Sequence, residues 1–259
     1  MIDYIEAIRD ESALFAQLVE TAAPDSVVPS CPGWSVADLT WHLAEVQYFW
    51  ASIVENLLES PEDVVELRRP PDVELLDLFT QQSAQLLVTL QSHQPAEVCW
   101  SWHDAGHSVG WVLRRQAHEA LIHRVDAALA AGSSVAVDTA LAADGVDEVL
   151  RVMIDASSIP EWSSFVPDGT TASIITDDGQ SWALELGRFG GTSPTSGTTY
   201  DDPALRLRDP IEQPSISIHG TSADLDLWLW GRGSTESLRV QGDAALVAMI
   251  RDAATAGTQ

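Results

Sequence analysis

Lysine is absent from this chain. All 13 basic residues are arginines, set against 39 acids and a formal charge of -26. Without lysine there is no Schiff-base nucleophile, no phosphate-loop lysine and no lysine general base. The acidic balance repels phosphate backbones and anionic lipid surfaces, so nucleic acid is not an expected partner. Cysteine is nearly absent as well: Cys31 and Cys99 lack C-x-x-C spacing and form neither a zinc knuckle nor a disulfide framework. No uncharged apolar run approaches the roughly 20 residues that span a bilayer. The N-terminal "MIDYIEAIRDESALF" places acids where a signal peptide carries a basic region and then an apolar run. A cytoplasmic globular protein of one or two domains is expected.

Apolar residues recur at three- and four-residue spacing in "IEAIRDESALFAQLVETA", "VADLTWHLAEVQYFWASIVENLL", "VELLDLFTQQSAQLLVTLQSH" and "VGWVLRRQAHEALIHRVDAALAAG". Four helices separated by Pro- and Gly-bearing breaks predict a bundle, and "VDTALAADGVDEVLRVMI" predicts a fifth helix after it. The pattern then changes to short β-type runs, "TASIITDD", "SWALELG" and "PSISIHG". The run "SADLDLWLWGR" reads as a helix, "SLRVQG" as a strand and "DAALVAMIRDAATAG" as a closing helix. Residues 1–157 are thus expected as a helical domain and 168–259 as a smaller α+β domain, joined near "SSIPEWSSFVPDG". The Gly/Ser/Thr-rich stretch 189–199 is expected to be a long loop.

The chemistry concentrates in "RRQAHEALIH". Residues four apart on a helix differ by about 40° around the axis, and residues five apart by about 140°. Glu119 and His123 therefore share a face, while His118 does not pair with His123. The same stripe carries Trp111 and Arg115. Taken alone, Glu119 and His123 are either a surface ion pair or two ligands of a metal half-site. A second histidine, His42 in "LTWHLAE", sits on an apolar stripe of the second helix, as either a hydrogen-bonded core residue or a third ligand. Two imidazoles and a carboxylate from two facing helices are how bundles build metal sites. Three protein ligands leave an open position, the catalytic arrangement, and the donor set suits zinc without excluding other divalent metals. Asp38, three residues after Ser35, fits a capping box. Cys31 reads as a packed loop thiol, and Asp126 as either a partner that orients His123 or a solvated acid. His103 and His107 are candidate substrate contacts.

On these residues the sequence resembles the mycothiol-dependent maleylpyruvate isomerase family. "VPSCPGWSVADLTWHLAE" is similar to that family's Pro-Gly-Trp entry into the helix bearing the first histidine ligand. "RRQAHEALIHRVDAA" is similar to the stretch bearing the Glu and second His. The resemblance implies a DinB-like four-helix metal-binding domain with His42, Glu119 and His123 as ligands. It also implies a small C-terminal α+β domain resembling sterol-carrier-like folds. "SADLDLWLWGR" and "LRVQGDAALVAMI" match that domain more loosely, and they make Arg232 the match for a family arginine that reaches the active site. A guanidinium forks onto carboxylates, although Arg232 could equally cap its own helix.

The implied activity has a divalent metal, zinc by preference, activating the thiol of mycothiol for attack on an electrophilic substrate. Isomerisation would add the thiolate, rotate a bond and eliminate; transfer would stop at the adduct. The expected partners are this small-molecule thiol and the electrophile, with the protein acting as a monomer or homodimer. A dianionic substrate requires Arg115, Arg124 and Arg232 to reverse the negative field locally. A hydrolase using metal-bound water and a non-catalytic ligand-binding protein stabilised by its ion are the alternatives.

Overall fold

A computed structural model describes residues 2–103, 106–156 and 159–258. The chain divides into two compact units, Met1–Ala136 and Val137–Gln259. Among the described residues no helix is long and apolar enough to cross a membrane.

The first unit contains the four expected helices: α1 (Tyr4–Thr21), α2 (Val36–Glu55), α3 (Leu75–Ser92) and α4 (Val109–Ala130). Three begin at side-chain caps, which satisfy backbone N–H groups that have no partner within the helix. Asp3 accepts from Glu6 N, Ser35 from Asp38 N, and Ser108 from Trp111 N. At α2 the cap is reciprocal, because Asp38 accepts from Ser35 N at 3.0 Å; this is the expected capping box. Phe15 and Val19 of α1, Leu39 and Leu43 of α2, Phe79 of α3 and Ala127 of α4 share one apolar core. The rings of Phe15 and Phe79 lie 4.8 Å apart at 59°, and burying each is worth about 1.5–3 kcal/mol.

Helix α4 is buried over most of its surface, and it carries polar side chains inward. Arg124 donates to Glu11 of α1 through Nε, and through Nη2 to Ala136 O at 3.0 Å. A buried guanidinium needs such partners to offset desolvation, and the pair ties α1 to α4.

The second unit opens with α5 (Thr139–Glu148), which continues into a π-helical turn over Val149–Met153. The expected domain boundary at residue 157 lies outside the described residues, and the compact units divide earlier, between Ala136 and Val137. The fifth helix belongs with the sheet because Leu141, Ala142 and Val146 are buried and α5 packs on α6 (Ser222–Leu229). Gly145 permits the approach: a Cβ there would stand 2.6 Å from Asp226 Oδ1. The remaining elements are β1 (Ser163–Thr176), β2 (Ser181–Thr192), β3 (Thr199–Arg208), β4 (Ile216–Gly220), β5 (Arg239–Gly242) and α7 (Ala245–Thr258).

The strands order as β3-β2-β1-β4-β5, antiparallel except for the parallel pair β1–β4. Period-two alternation puts Ala172, Ile174, Leu184, Leu186, Leu205, Ile216 and Ile218 on one buried face. Helices α6 and α7 pack on β4 and β3. The expected loop over 189–199 is a correction. β2 and β3 extend as a hairpin through it, pairing Phe189 with Asp202 and Thr192 with Thr199. Its Gly, Ser and Thr residues lack apolar alternation. Trp162, Phe189 and Tyr200 instead hold the hairpin by ring contacts of 5.8–5.9 Å. Pro203 is tolerated because β3 is an edge strand.

Candidate metal centre

Helix α2 contributes His42, and α4 contributes Glu119 and His123. Their nearest ligand atoms all lie within 4.8 Å of one another. His42 Nε2 and His123 Nε2 approach the same carboxylate oxygen, Glu119 Oε1, at 3.3 and 3.1 Å. Donors about 2.0–2.2 Å from a tetrahedral ion stand roughly 3.3–3.5 Å apart, and the two separations from Glu119 Oε1 are near that value, so these three residues could hold one divalent cation. The two imidazole rings meet edge to face, with centroids 4.8 Å apart at 82°. His42 is the most exposed of the three side chains, at 31% against 15% for Glu119 and 10% for His123, so the cage opens on its side.

Neighbouring side chains hold two of the three donors, Glu119 and His123. Arg115 Nη2 donates to Glu119 Oε2 at 2.5 Å, which leaves Oε1 directed at the histidines. Asp126, fully buried, lies with Oδ2 2.9 Å from His123 Nδ1, so Nε2 faces the cage. Ser30 Oγ donates to Asp126 Oδ1 at 2.5 Å, and the Cys31 thiol donates to Oδ2 at 3.4 Å. Asp126 is thus a partner that orients His123, not a solvated acid. Cys31 is tied to it rather than simply packed. The loop continues into Trp34, whose ring lies 4.8 Å from His42 and 6.5 Å from His123. Gly33, at φ +85, turns the chain there, while Val28 N donates to Trp34 O and Trp34 N to Cys31 O.

Charges at the site are coupled. Burial disfavours ionised Glu119, but the charges of His123 and Arg115 and hydrogen bonds with both histidines outweigh it, holding the carboxyl well below its usual range. Burial likewise disfavours protonated His123. The Glu119 charge and the bonds to Asp126 and Glu119 overcome this and raise it to about 9.

His118 is buried on α4 but does not join the group, as helix phase requires. His107 Nδ1 accepts from Ser101 N at 3.4 Å and His103 packs on Trp102 at 5.8 Å; neither belongs to the group. Arg124 is engaged by Glu11 and Arg115 by Glu119. Arg232, in the second unit, donates through Nη1 to Trp230 O at 2.6 Å, at the C-terminal cap of α6. Sequence reasoning missed Trp34 as a wall of the cage. It also missed an aromatic cluster on the Trp111 side, in which Trp50 meets Phe49, Trp100 and Trp111 at 5.1–5.7 Å. The available signals were the indole of the Pro-Gly-Trp turn and a content of 10 tryptophans.

Comparison with known proteins agrees across both units. The family profile of the mycothiol maleylpyruvate isomerase N-terminal domain matches residues 5–128. That of the C-terminal domain of the same isomerase matches residues 140–249. No curated protein sequence matches significantly. The solved mycothiol-dependent maleylpyruvate isomerase is similar in fold, at TM-score 0.59 and 15% identity over 93% of each chain. A histidine-to-alanine mutant of a mycothiol-dependent maleylpyruvate isomerase gives 0.58 and 13% over the same shares. With both units matched in order, the chain belongs to the mycothiol-dependent maleylpyruvate isomerase family.

Proposed function

We propose that this chain is a metal-dependent enzyme that uses mycothiol as thiol cosubstrate, in isomerisation of a maleylpyruvate-like compound or in transfer of the thiol to an electrophile. The observation that carries this reading is the convergence of His42, Glu119 and His123, ligand atoms within 4.8 Å, in a chain of this family. A divalent ion held by these three donors, zinc being suited to them, would supply the Lewis acidity that lowers the pKa of a thiol. The residues around it do the positioning. Asp126 keeps His123 Nε2 turned to the cage, and Arg115 restrains Glu119 to one oxygen. Trp34 lies against the His42 ring at 4.8 Å and forms one wall beside the two imidazoles. Arg232 is the proposed catalytic arginine of the second unit, binding a substrate carboxylate through the guanidinium fork.

Metal analysis of the purified wild type against His42→Ala and Glu119→Ala tests the centre: near-stoichiometric metal in the first and loss in both variants is expected. Equal sub-stoichiometric metal in all three would rule it out. Turnover of an activated electrophile with and without mycothiol tests the chemistry. Turnover indifferent to the thiol would replace this reading by the hydrolase. Arg232→Ala is expected to raise KM for a dicarboxylate without changing metal content.

A further inference from the structure

One loop touches both helices that carry the metal donors. Between α1 and α2 the chain folds back on itself: Val27 bridges to Ser35, Val28 N donates to Trp34 O at 3.0 Å, and Cys31 N donates to Val28 O at 3.1 Å. The loop is also tied to the first turn of α2, where Val36 N donates to Ser26 O and Ala37 N to Pro24 O, both at 2.9 Å. Val28, fully buried, and Cys31 anchor it in the apolar core shared by the four helices. These bonds and this burial leave the loop little freedom relative to the start of α2.

From that frame the loop reaches in two directions. Toward α2, Ser35 caps the helix that carries His42 about two turns further on, and the Trp34 ring lies 4.8 Å from the His42 ring. Toward α4, Ser30 Oγ donates to Asp126 Oδ1 at 2.5 Å and Cys31 Sγ to Oδ2 at 3.4 Å, across 96 and 95 residues of sequence. Oδ2 is shared, because it also lies 2.9 Å from His123 Nδ1. Asp126 is fully buried, so the groups that bond its carboxylate, rather than water, set the direction of that carboxylate. Ser30 holds the oxygen that does not meet the histidine, and Cys31 the one that does.

We propose that Ser30 and Cys31 are positioning residues for the ion, acting through Asp126. The loop that bears them thereby sets how His123 on α4 faces His42 on α2. This rests on the metal centre proposed above. Without the Ser30 hydroxyl, the Asp126 carboxylate is free to turn about its side-chain bonds and the imidazole it holds turns with it, so Nε2 leaves the direction of Glu119 Oε1. A thiol is a weak donor, and Ser30 therefore carries more of the effect than Cys31.

Zinc affinity by chelator competition, together with the visible spectrum of the cobalt(II)-loaded chain, tests this, since cobalt bands report donor geometry. Ser30→Ala should weaken zinc about tenfold, the lower end of the loss seen for outer partners, and should shift the cobalt bands while far-UV circular dichroism stays unchanged. Ser30→Thr, which keeps the hydroxyl, should restore both. Cys31→Ala should have a smaller effect, which Cys31→Ser restores. In an Asp126→Ala background, Ser30→Ala should add nothing, because the two act as one unit. An unchanged affinity and spectrum in Ser30→Ala would overturn the proposal. So would a loss that Ser30→Thr fails to restore, or an equal further loss in the Asp126→Ala background. A wild type that takes up no stoichiometric metal would overturn the metal centre itself, and this proposal with it.

Discussion

Along α4 of the helical unit charged side chains are buried and interlocked, as Arg124 is with Glu11 and His123 with Asp126, whereas on the β2–β3 hairpin of the second unit they pair in the open, as Arg188 does with Asp201. The physical consequence differs sharply. A buried partner that loses its counter-ion is stranded in a medium that solvates it poorly, while an exposed one returns to water and is screened by salt. Similar ion pairs therefore fix helices and the His123 ring in one place and add little beyond solvent-screened attraction in the other.

The largest expected effect tests that contrast directly. Glu11→Ala strands the Arg124 guanidinium and should cost about 3–5 kcal/mol in urea unfolding, whereas Arg188→Ala should leave the midpoint where it is. Comparable losses in the two variants would break the comparison. Next comes Asp126→Asn, which weakens the restraint on His123. Zinc affinity measured by chelator competition should fall about 10–100-fold with far-UV circular dichroism unchanged.

The pH dependence follows from His123. Its folded pKa, about 9, is raised above the free-imidazole value of 6.5, so the proton stabilises the metal-free protein fully below that value. This contribution is lost as pH rises through about 9. A metal ion requires the neutral ring, so uptake should release a proton, and apparent affinity should climb about tenfold per pH unit from 7 towards 9. A flat profile would show that the ion takes nothing from His123. The smallest effect is local: Ser35→Ala removes half of the reciprocal cap on α2 and should cost about 1 kcal/mol by thermal melting.

Helix phase and caps made much of the first unit legible. Ser35 followed by Asp38 marks the start of α2, and four-residue spacing alone groups Glu119 with His123 and sets His118 aside. His42 could be nominated from its apolar stripe, but its approach to Glu119 depends on how two helices face each other, which no local pattern states. The same holds for Asp126, whose partners Ser30 and Cys31 come from a distant loop. Strand β3 was illegible for another reason. "TTYDDP" has turn composition, and its pairing is enforced by Trp162, Phe189 and Tyr200, which meet only after the hairpin closes. Helix α5 was legible as a helix but not as part of the sheet unit, since an apolar face does not name the face it will cover.

The burial of α4 on most sides has a consequence for how this chain can change. Trp111, Arg115, Glu119, His123 and Asp126 are indexed to one another by helical turns, and each residue added or removed upstream of them rotates everything after it by about 100°. One inserted residue between Trp111 and Arg115 would turn the donors towards the core and the core towards the cage. Substitutions along α4 can be accommodated one at a time, but its length between Ser108 and Asp126 behaves as a fixed count.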